Sequence, residues 1–196
     1  MGRHPEPQIA ERLLDACTDV VLREGLPDRL QPFVEGTGAS ARKLLYHFGT
    51  RDDLLRAVLR RARERQLSTF GALLTARRHE DYTTTLASAW RSLTGADGQP
   101  YLRLFGRLRA GTEHHLWPGF EKIATTDWLE PLAEGLDSMG RRESATLVLA
   151  VIRGLLMDLD ATADRERVDD AFDRFLSGLR AVEPIPGRGV PPSSRG

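Results

Sequence analysis

Residues 40–51 carry a pattern of side chains that is suited to binding phosphate groups. This stretch contains the basic residues Arg42, Lys43 and Arg51 together with His47, and it has no acidic residue. Cationic side chains without neighbouring carboxylates neutralise phosphates, which dominate the affinity of proteins for nucleic acid. Arginine also forms paired hydrogen bonds with the guanine edge in the major groove. The pattern therefore predicts a surface that binds duplex DNA.

The charge of the whole chain gives no support of its own to this prediction. The 196 residues include 28 basic and 28 acidic side chains, so the formal net charge is zero. A DNA-binding face must therefore come from local clustering of charge. The alternative is that Arg42 and Lys43 are ordinary solvent-facing charges on a small helical domain.

Two short helices should position these side chains. An apolar patch at residues 30–34 predicts the first helix, and glycines at positions 36 and 38 interrupt it. Ser40 then has the position of an N-cap for a second helix over residues 41–48. Thr50 can cap the long helix that follows. Two short helices joined by a glycine-containing turn are typical of a helix-turn-helix.

The rest of the chain predicts further helices, and no strand pattern competes with them. Apolar residues recur at helical spacing in seven further segments: 8–23, 52–77, 84–93, 101–110, 120–136, 143–160 and 166–181. The charged run RRARER at residues 60–65 is interpreted as a solvated helix face. Pro131 is expected to kink the helix that contains it or to divide it in two. The fold class is therefore predicted to be all-α.

The last two predicted helices differ from the others in composition. Residues 143–160 are apolar on most sides, so this helix should be buried nearly all round. Pairing of both helices with their copies in a second subunit would explain this pattern through a four-helix interface. A homodimer is the expectation. The segment from residue 184 to residue 196 is rich in Pro, Gly and Ser, and it is expected to be a disordered tail.

Residues 8–59 resemble the N-terminal domain of the TetR family of transcriptional regulators. The resemblance rests on REGL at Arg23–Leu26 and on GASARKLLYHFGTRDDLL at Gly38–Leu55. It implies a three-helix, helix-turn-helix DNA-binding domain over residues 1–50 and a helical ligand-binding and dimerisation domain over residues 51–183.

The resemblance assigns DNA contacts to six side chains on or beside the second short helix: Ser40, Arg42, Lys43, Tyr46, His47 and Arg51. Arg42 and Lys43 would read base edges. Tyr46 and His47 would contact the DNA backbone and brace the end of the helix. Arg51 would hold a phosphate.

The resemblance also implies a pocket between the C-terminal helices that takes a small-molecule effector. Aromatic side chains often line such pockets, and Trp90, Phe105 and Trp128 are the candidates here. The alternative for each of them is ordinary packing in a hydrophobic core. No metal site is expected, because the adjacent His114 and His115 point in different directions on a helix, and no cofactor is expected.

These observations favour a ligand-responsive transcriptional regulator. We expect a repressor that a small molecule releases from a pseudo-palindromic operator. A helical small-molecule-binding or interaction protein without a DNA role is the alternative. A helical enzyme of the ferritin type would need paired Glu-x-x-His motifs, which the sequence lacks, so no enzymatic activity is expected. A cytoplasmic location is expected, because neither a signal peptide nor a membrane span is evident in the sequence.

Overall fold

Helices make up most of the structure, a computed structural model that describes residues 7–77, 80–110 and 113–181. Within these ranges the chain has nine α-helices and no strand, which confirms the all-α prediction. They are α1 (Pro7–Glu24), α2 (Gln31–Thr37), α3 (Ala41–Phe48), α4 (Arg51–Gln66), α5 (Tyr82–Thr94), α6 (Gln99–Ala110), α7 (Phe120–Asp137), α8 (Ala145–Thr162) and α9 (Arg165–Ala181). The tail predicted for residues 184–196 lies outside the described ranges.

The second helix packs closely on the first because a glycine lies at their contact. A Cβ atom at Gly36 would lie only 2.2 Å from Cγ2 of Val20, so no larger residue fits there without displacement. Pro32 lies in the first turn of α2, where its missing N–H group breaks no helical hydrogen bond. Gly38 ends α2 in the left-handed conformation, with φ of 67°. These features fix the angle at which α3 leaves α2.

Side-chain caps define the start of α3 and of α4. The Ser40 hydroxyl accepts a hydrogen bond from the backbone N–H of Lys43 at the start of α3. At the start of α4, Thr50 and Asp53 form a reciprocal capping box. Leu44 is fully buried beneath α3. The two-turn helix α3 is therefore fixed at its N-terminus, its C-terminal junction and its underside.

The regular part of α4 ends earlier than the sequence predicts. The helix stops at Gln66, and a π-helical turn at Leu67–Gly71 and a short 3₁₀ turn at Ala72–Leu74 follow. The wider π-helical turn changes the direction of the side chains that follow it. Phe70 is consequently buried, with its ring edge-to-face against Tyr101 at 5.8 Å.

The charged run at residues 60–65 is not a solvated face throughout. Arg61 and Arg65 form ion pairs with carboxylates on α1, contributed by Glu11, Asp15 and Asp19. Arg63 lies on the other side of α4, where only 5% of the residue is exposed. The interpretation as a solvated face is therefore wrong for Arg63. Glu11, Asp15 and Asp19 of α1 therefore face α4.

Two hydrophobic clusters form the interior. The first combines α1–α4 with Leu104, Phe105 and Leu108 of α6 and with the beginning of α7. The second combines α5, the later part of α7, α8 and α9. Residues on both sides of the predicted boundary at position 50 belong to the first cluster.

Pro131 lies inside α7, which continues through it as one helix rather than two.

The C-terminal helices leave an apolar face uncovered in the single chain. On α8, Leu147 is 58% exposed and Met157 is 71% exposed. Nothing in the described residues covers these side chains, so burial of this helix nearly all round, through a second subunit, stays a prediction.

Candidate DNA-binding surface and interior cavity

The outer face of α3 presents cationic and aromatic side chains to solvent. Arg42 and Lys43 are exposed, and neither has an ion-pair or side-chain hydrogen-bond partner among the described residues. Tyr46 is 56% exposed. Because residues three and four apart are neighbours on a helix, these three side chains share one face. The surface can bind a polyanion without first breaking an internal ion pair of Arg42 or Lys43.

His47 occupies a different environment at the end of the same helix. Its ring is half-buried and lies edge-to-face against Tyr46, with centroids 5.3 Å apart. Its Nδ1 atom is buried and has no hydrogen-bond partner among the described residues. The ring therefore braces the aromatic cluster at the C-terminus of α3.

Arg51 is already engaged at the start of α4. Its Nη2 atom donates to the backbone carbonyl of Pro27 at 2.7 Å, and its Nη1 atom lies 3.0 Å from a carboxylate oxygen of Asp52. The side chain ties α4 to the segment between α1 and α2. The assignment of a phosphate contact to Arg51 stays a prediction.

A cavity of about 270 Å³ lies between α4, α5, α6, α7 and α8. All three aromatic residues that the sequence suggested for a ligand pocket line it. Six aromatic side chains contribute to its wall: Phe70, Trp90, Tyr101, Phe105, Phe120 and Trp128. The volume lies just below the usual range for small-molecule sites.

Two of these aromatic residues connect the cavity wall with other parts of the fold. The indole N–H of Trp90 donates to Asp169 on α9 at 2.7 Å, and the Trp90 ring stacks on Phe172 at 4.6 Å. Phe105 stacks on Phe120 at 5.2 Å, and both belong to the hydrophobic cluster of the N-terminal helices. The cavity therefore adjoins the interior of both halves of the chain.

Arg63 is one of three charged residues in the cavity wall, together with Glu121 and Arg153. Its Nε and Nη2 atoms donate to one oxygen of Asp127 at 3.1 and 2.9 Å, and its Nη1 atom donates to Gln66 at 2.6 Å. Its guanidinium carbon lies 5.0 Å from the centre of the Trp128 ring, within cation–π range. Stacking and paired hydrogen bonds fix the orientation of the guanidinium plane.

Sequence reasoning missed Arg63, although a signal was present. Leu55, Leu59 and Ala62 define the apolar stripe of α4, and Arg63 and Gln66 continue that stripe at helical spacing. A charged residue on a buried stripe requires a partner, which distinguishes it from a solvated arginine. Asp127 lies 64 positions away, so the sequence alone does not identify it.

Neither metal binding nor a membrane span has support in the described ranges. They contain no group of three or more His, Cys, Asp or Glu side chains that could hold a metal ion. No helix described there is both long enough and apolar enough to cross a bilayer.

The chain is similar to several solved structures over nearly its full length. A TetR-family transcriptional regulator from Cytophaga hutchinsonii is 14% identical, with a TM-score of 0.68 over 93% of this chain and 100% of that chain. A transcriptional regulator from Rhodococcus sp. Rha1 is 20% identical, with a TM-score of 0.66 over 89% and 99% of the two chains. The multidrug binding protein EbrR, complexed with imidazole, is 25% identical, with a TM-score of 0.60 over 95% and 96%.

Comparison by sequence alone gives no match, either to a protein-family model or to a curated protein. The architecture of an N-terminal helix-turn-helix followed by a larger helical domain is common to this chain and the similar structures. The resemblance at residues 8–59 implied the same architecture. The chain thus has the fold of the TetR family of transcriptional regulators.

Proposed function

We propose that this protein is a DNA-binding transcriptional regulator that uses α3 as its recognition helix. The observation that carries the proposal is the exposed face of α3, where Arg42, Lys43 and Tyr46 lie side by side on a capped, well-packed helix. A two-turn helix fits the width of the major groove. Arg42 and Lys43 read base edges, and Tyr46 contacts the backbone.

We propose that two copies act together, joined through α8 and α9. Leu147 and Met157 are exposed in the single chain, and Gly154 lies on the same side of α8 with open space around it. A second copy seated there buries apolar surface and forms a four-helix interface. The two recognition helices then reach successive major grooves of a pseudo-palindromic operator.

The interior cavity is proposed as the effector site of this regulator. Trp90, Phe105 and Trp128 line it, and Trp90 also contacts α9 through Asp169. The similar protein EbrR was solved in complex with proflavin, which is a planar aromatic compound. An effector that prefers one dimer geometry weakens DNA binding, and DNA weakens effector binding by the same factor. Repression relieved by the effector is the proposed mode of action.

An electrophoretic mobility shift assay tests the proposal. The DNA is the segment that flanks the protein's own coding region, where an inverted repeat is expected. The double variant Arg42→Ala/Lys43→Ala should lose operator binding. The matched control, Arg91→Ala/Arg103→Ala, removes two exposed arginines from α5 and α6 and should bind as the wild type does.

Undiminished binding by the Arg42/Lys43 variant would contradict the assignment of the recognition helix. Binding that does not weaken as the salt concentration rises would contradict phosphate contact altogether. In that case the chain would be a helical small-molecule-binding or interaction protein without a DNA role.

A further inference from the structure

We propose that the interior cavity is selective for aromatic acids, and that Arg63 binds their carboxylate group. This inference deepens the proposed effector site and rests on it. It is carried by the cavity wall, in which the guanidinium of Arg63 lies within a mostly aromatic and aliphatic surface, whereas its carboxylate partner Asp127 does not line the cavity.

Several side chains of the cavity wall carry hydrogen-bond donors, and four of them bear on this proposal. Arg63, Gln66, Tyr101 and Arg153 all line the cavity. A guanidinium only donates hydrogen bonds, so the contact between Arg63 and Gln66 must use the amide oxygen of Gln66. The amide N–H groups of Gln66 have no acceptor among the described residues. Burial raises the pKa of the Tyr101 phenol, which therefore stays protonated and able to donate.

The carboxylates are placed less favourably for a ligand. Asp127, the ion-pair partner of Arg63, is not among the residues that line the cavity. Glu121 does line it, but Glu121 is exposed and lies in the first turn of α7. The cavity wall therefore exposes Arg63, the positive member of the Arg63–Asp127 pair, to a ligand. Asp127, the negative member, does not line the cavity.

The geometry at Arg63 leaves a specific place for a carboxylate. Asp127 accepts from the Nε and Nη2 atoms, and the Nη1 atom donates to the neutral side chain of Gln66. A ligand carboxylate can replace the amide oxygen at Nη1, and the turned Gln66 can then donate to the same carboxylate. Asp127 need not move. Charge-assisted hydrogen bonds are stronger than the neutral-acceptor bond that is lost.

The wall also sets the shape of the ligand. Trp128 and Phe105 flank the guanidinium, with ring centres 5.0 and 5.8 Å from its central carbon. Phe120 and Trp90 also line the cavity. Flat rings stack favourably on such surfaces, and a cavity of about 270 Å³ accommodates one or two fused rings.

Isothermal titration calorimetry with three probes of the same shape tests the proposal on the full chain. The probes are 1-naphthoate, the neutral 1-naphthamide and the cationic 1-naphthylmethylammonium. We expect 1-naphthoate to bind about tenfold more tightly than 1-naphthamide, in line with one charge-assisted hydrogen bond. The cationic probe should bind most weakly.

Two variants test whether Arg63 is the residue that binds the carboxylate of the ligand. The double variant Arg63→Gln/Asp127→Asn removes both charges together, so the Asp127 carboxylate is not left without its partner, and the variant should bind acid and amide equally. The control Arg61→Gln removes an arginine two positions away that pairs with α1 instead, and it should keep the preference for the acid. Thermal unfolding of each variant checks that it is folded before titration.

Equal binding of acid and amide by the wild type, or tightest binding of the cationic probe, would overturn the proposal. A preference for the acid that survives in the Arg63/Asp127 variant would also overturn it. Binding of none of the three probes would reject the cavity as a site for two-ring aromatic compounds. Operator binding measured without any probe is independent of these results, so failure here is distinguishable from failure of the DNA-binding proposal.

Discussion

The carboxylate of Asp15 on α1 lies 2.8 Å from Nη2 of Arg65 on α4. The same carboxylate oxygen lies 3.1 Å from Nη1 of Arg61, one helical turn earlier. Asp19 extends the series by pairing with Arg65 at 2.6 Å. Alternating charges thus join the first helix to the fourth along adjacent turns, on the side of α4 opposite to the cavity.

Removing Asp15 should destabilise the fold moderately. Each partner is partly exposed, so the single pairs contribute little, but one carboxylate serves two arginines. We expect Asp15→Asn to lower the free energy of unfolding by about 1 kcal/mol in dilute buffer and by less in concentrated salt. Urea denaturation at two salt concentrations measures this. Asp160→Asn, at an exposed position without a described ion pair, serves as control, and an equal loss in both variants would contradict the role of Asp15.

Arg42 and Arg51 should differ in how their loss affects DNA binding. Arg42→Ala should reduce the preference for operator over unrelated DNA by about 1–3 kcal/mol, because base contacts carry specificity. Arg51→Ala should weaken binding to all sequences and reduce the salt slope by about one unit, because it removes the phosphate contact proposed for Arg51. Fluorescence anisotropy with both DNAs over a salt series separates the two. Identical effects of the two variants would show that the assigned roles are incorrect.

A charge on the uncovered face of α8 should dissociate the proposed dimer. Leu147 is exposed in the single chain, so Leu147→Glu should leave the protomer folded while burying an unpaired carboxylate at the interface. Sedimentation equilibrium should show a dimer dissociation constant that is at least tenfold higher, because burying the carboxylate costs roughly 2 kcal/mol. Ile123→Glu, at another exposed apolar position, should not change the association. If wild type and Leu147→Glu have the same dissociation constant, the interface lies elsewhere.

The single cysteine should be unreactive in the native protein. Cys17 is completely buried in α1, and burial raises the pKa of its thiol to about 11. Since the thiolate is the reactive species, a disulfide reagent should modify it at neutral pH only when the surrounding structure opens. The rate of reaction with Ellman's reagent should rise sharply in urea. Immediate stoichiometric reaction in buffer would mean that α1 does not pack as described.

Alkaline pH should destabilise the fold through Tyr82. Its phenol is buried and donates to the backbone carbonyl of Leu74 at 2.9 Å, and burial raises its pKa above the ordinary value. A raised pKa in the folded state means that the stabilisation is complete below about pH 10, the unfolded value, and falls as the pH rises further. Thermal unfolding between pH 8 and pH 11 measures this. Tyr82→Phe should lose hydrogen-bond stability at neutral pH and show a weaker alkaline decline.

Local signals predicted the bounds of α3 closely. Ser40 supplies a cap and Gly49 ends the helix, so the predicted range of 41–48 is the observed one. The outward orientation of Arg42 and Lys43 followed from the same pattern. Both boundaries depend on residues within the segment itself, which is why the sequence was sufficient.

Tertiary contacts decided the features that were not predicted. The π-helical turn after Gln66 accompanies the burial of Phe70 against Tyr101, which belongs to a later helix. Arg63 is buried because Asp127 supplies its counter-charge from α7. Periodicity within α4 places Arg63 on the apolar stripe. It does not indicate which distant residue supplies the carboxylate that a buried arginine requires.

The hydrophobic cluster that α6 shares with the N-terminal helices limits how this chain can be recombined. Leu104, Phe105 and Leu108 complete the interior beneath α1 and α4. A chimaera that grafts only the first three or four helices onto another regulator's effector domain would leave that interior open on one side. A functional hybrid sensor would need α6 from this chain as well, or a foreign α6 selected to match its surface.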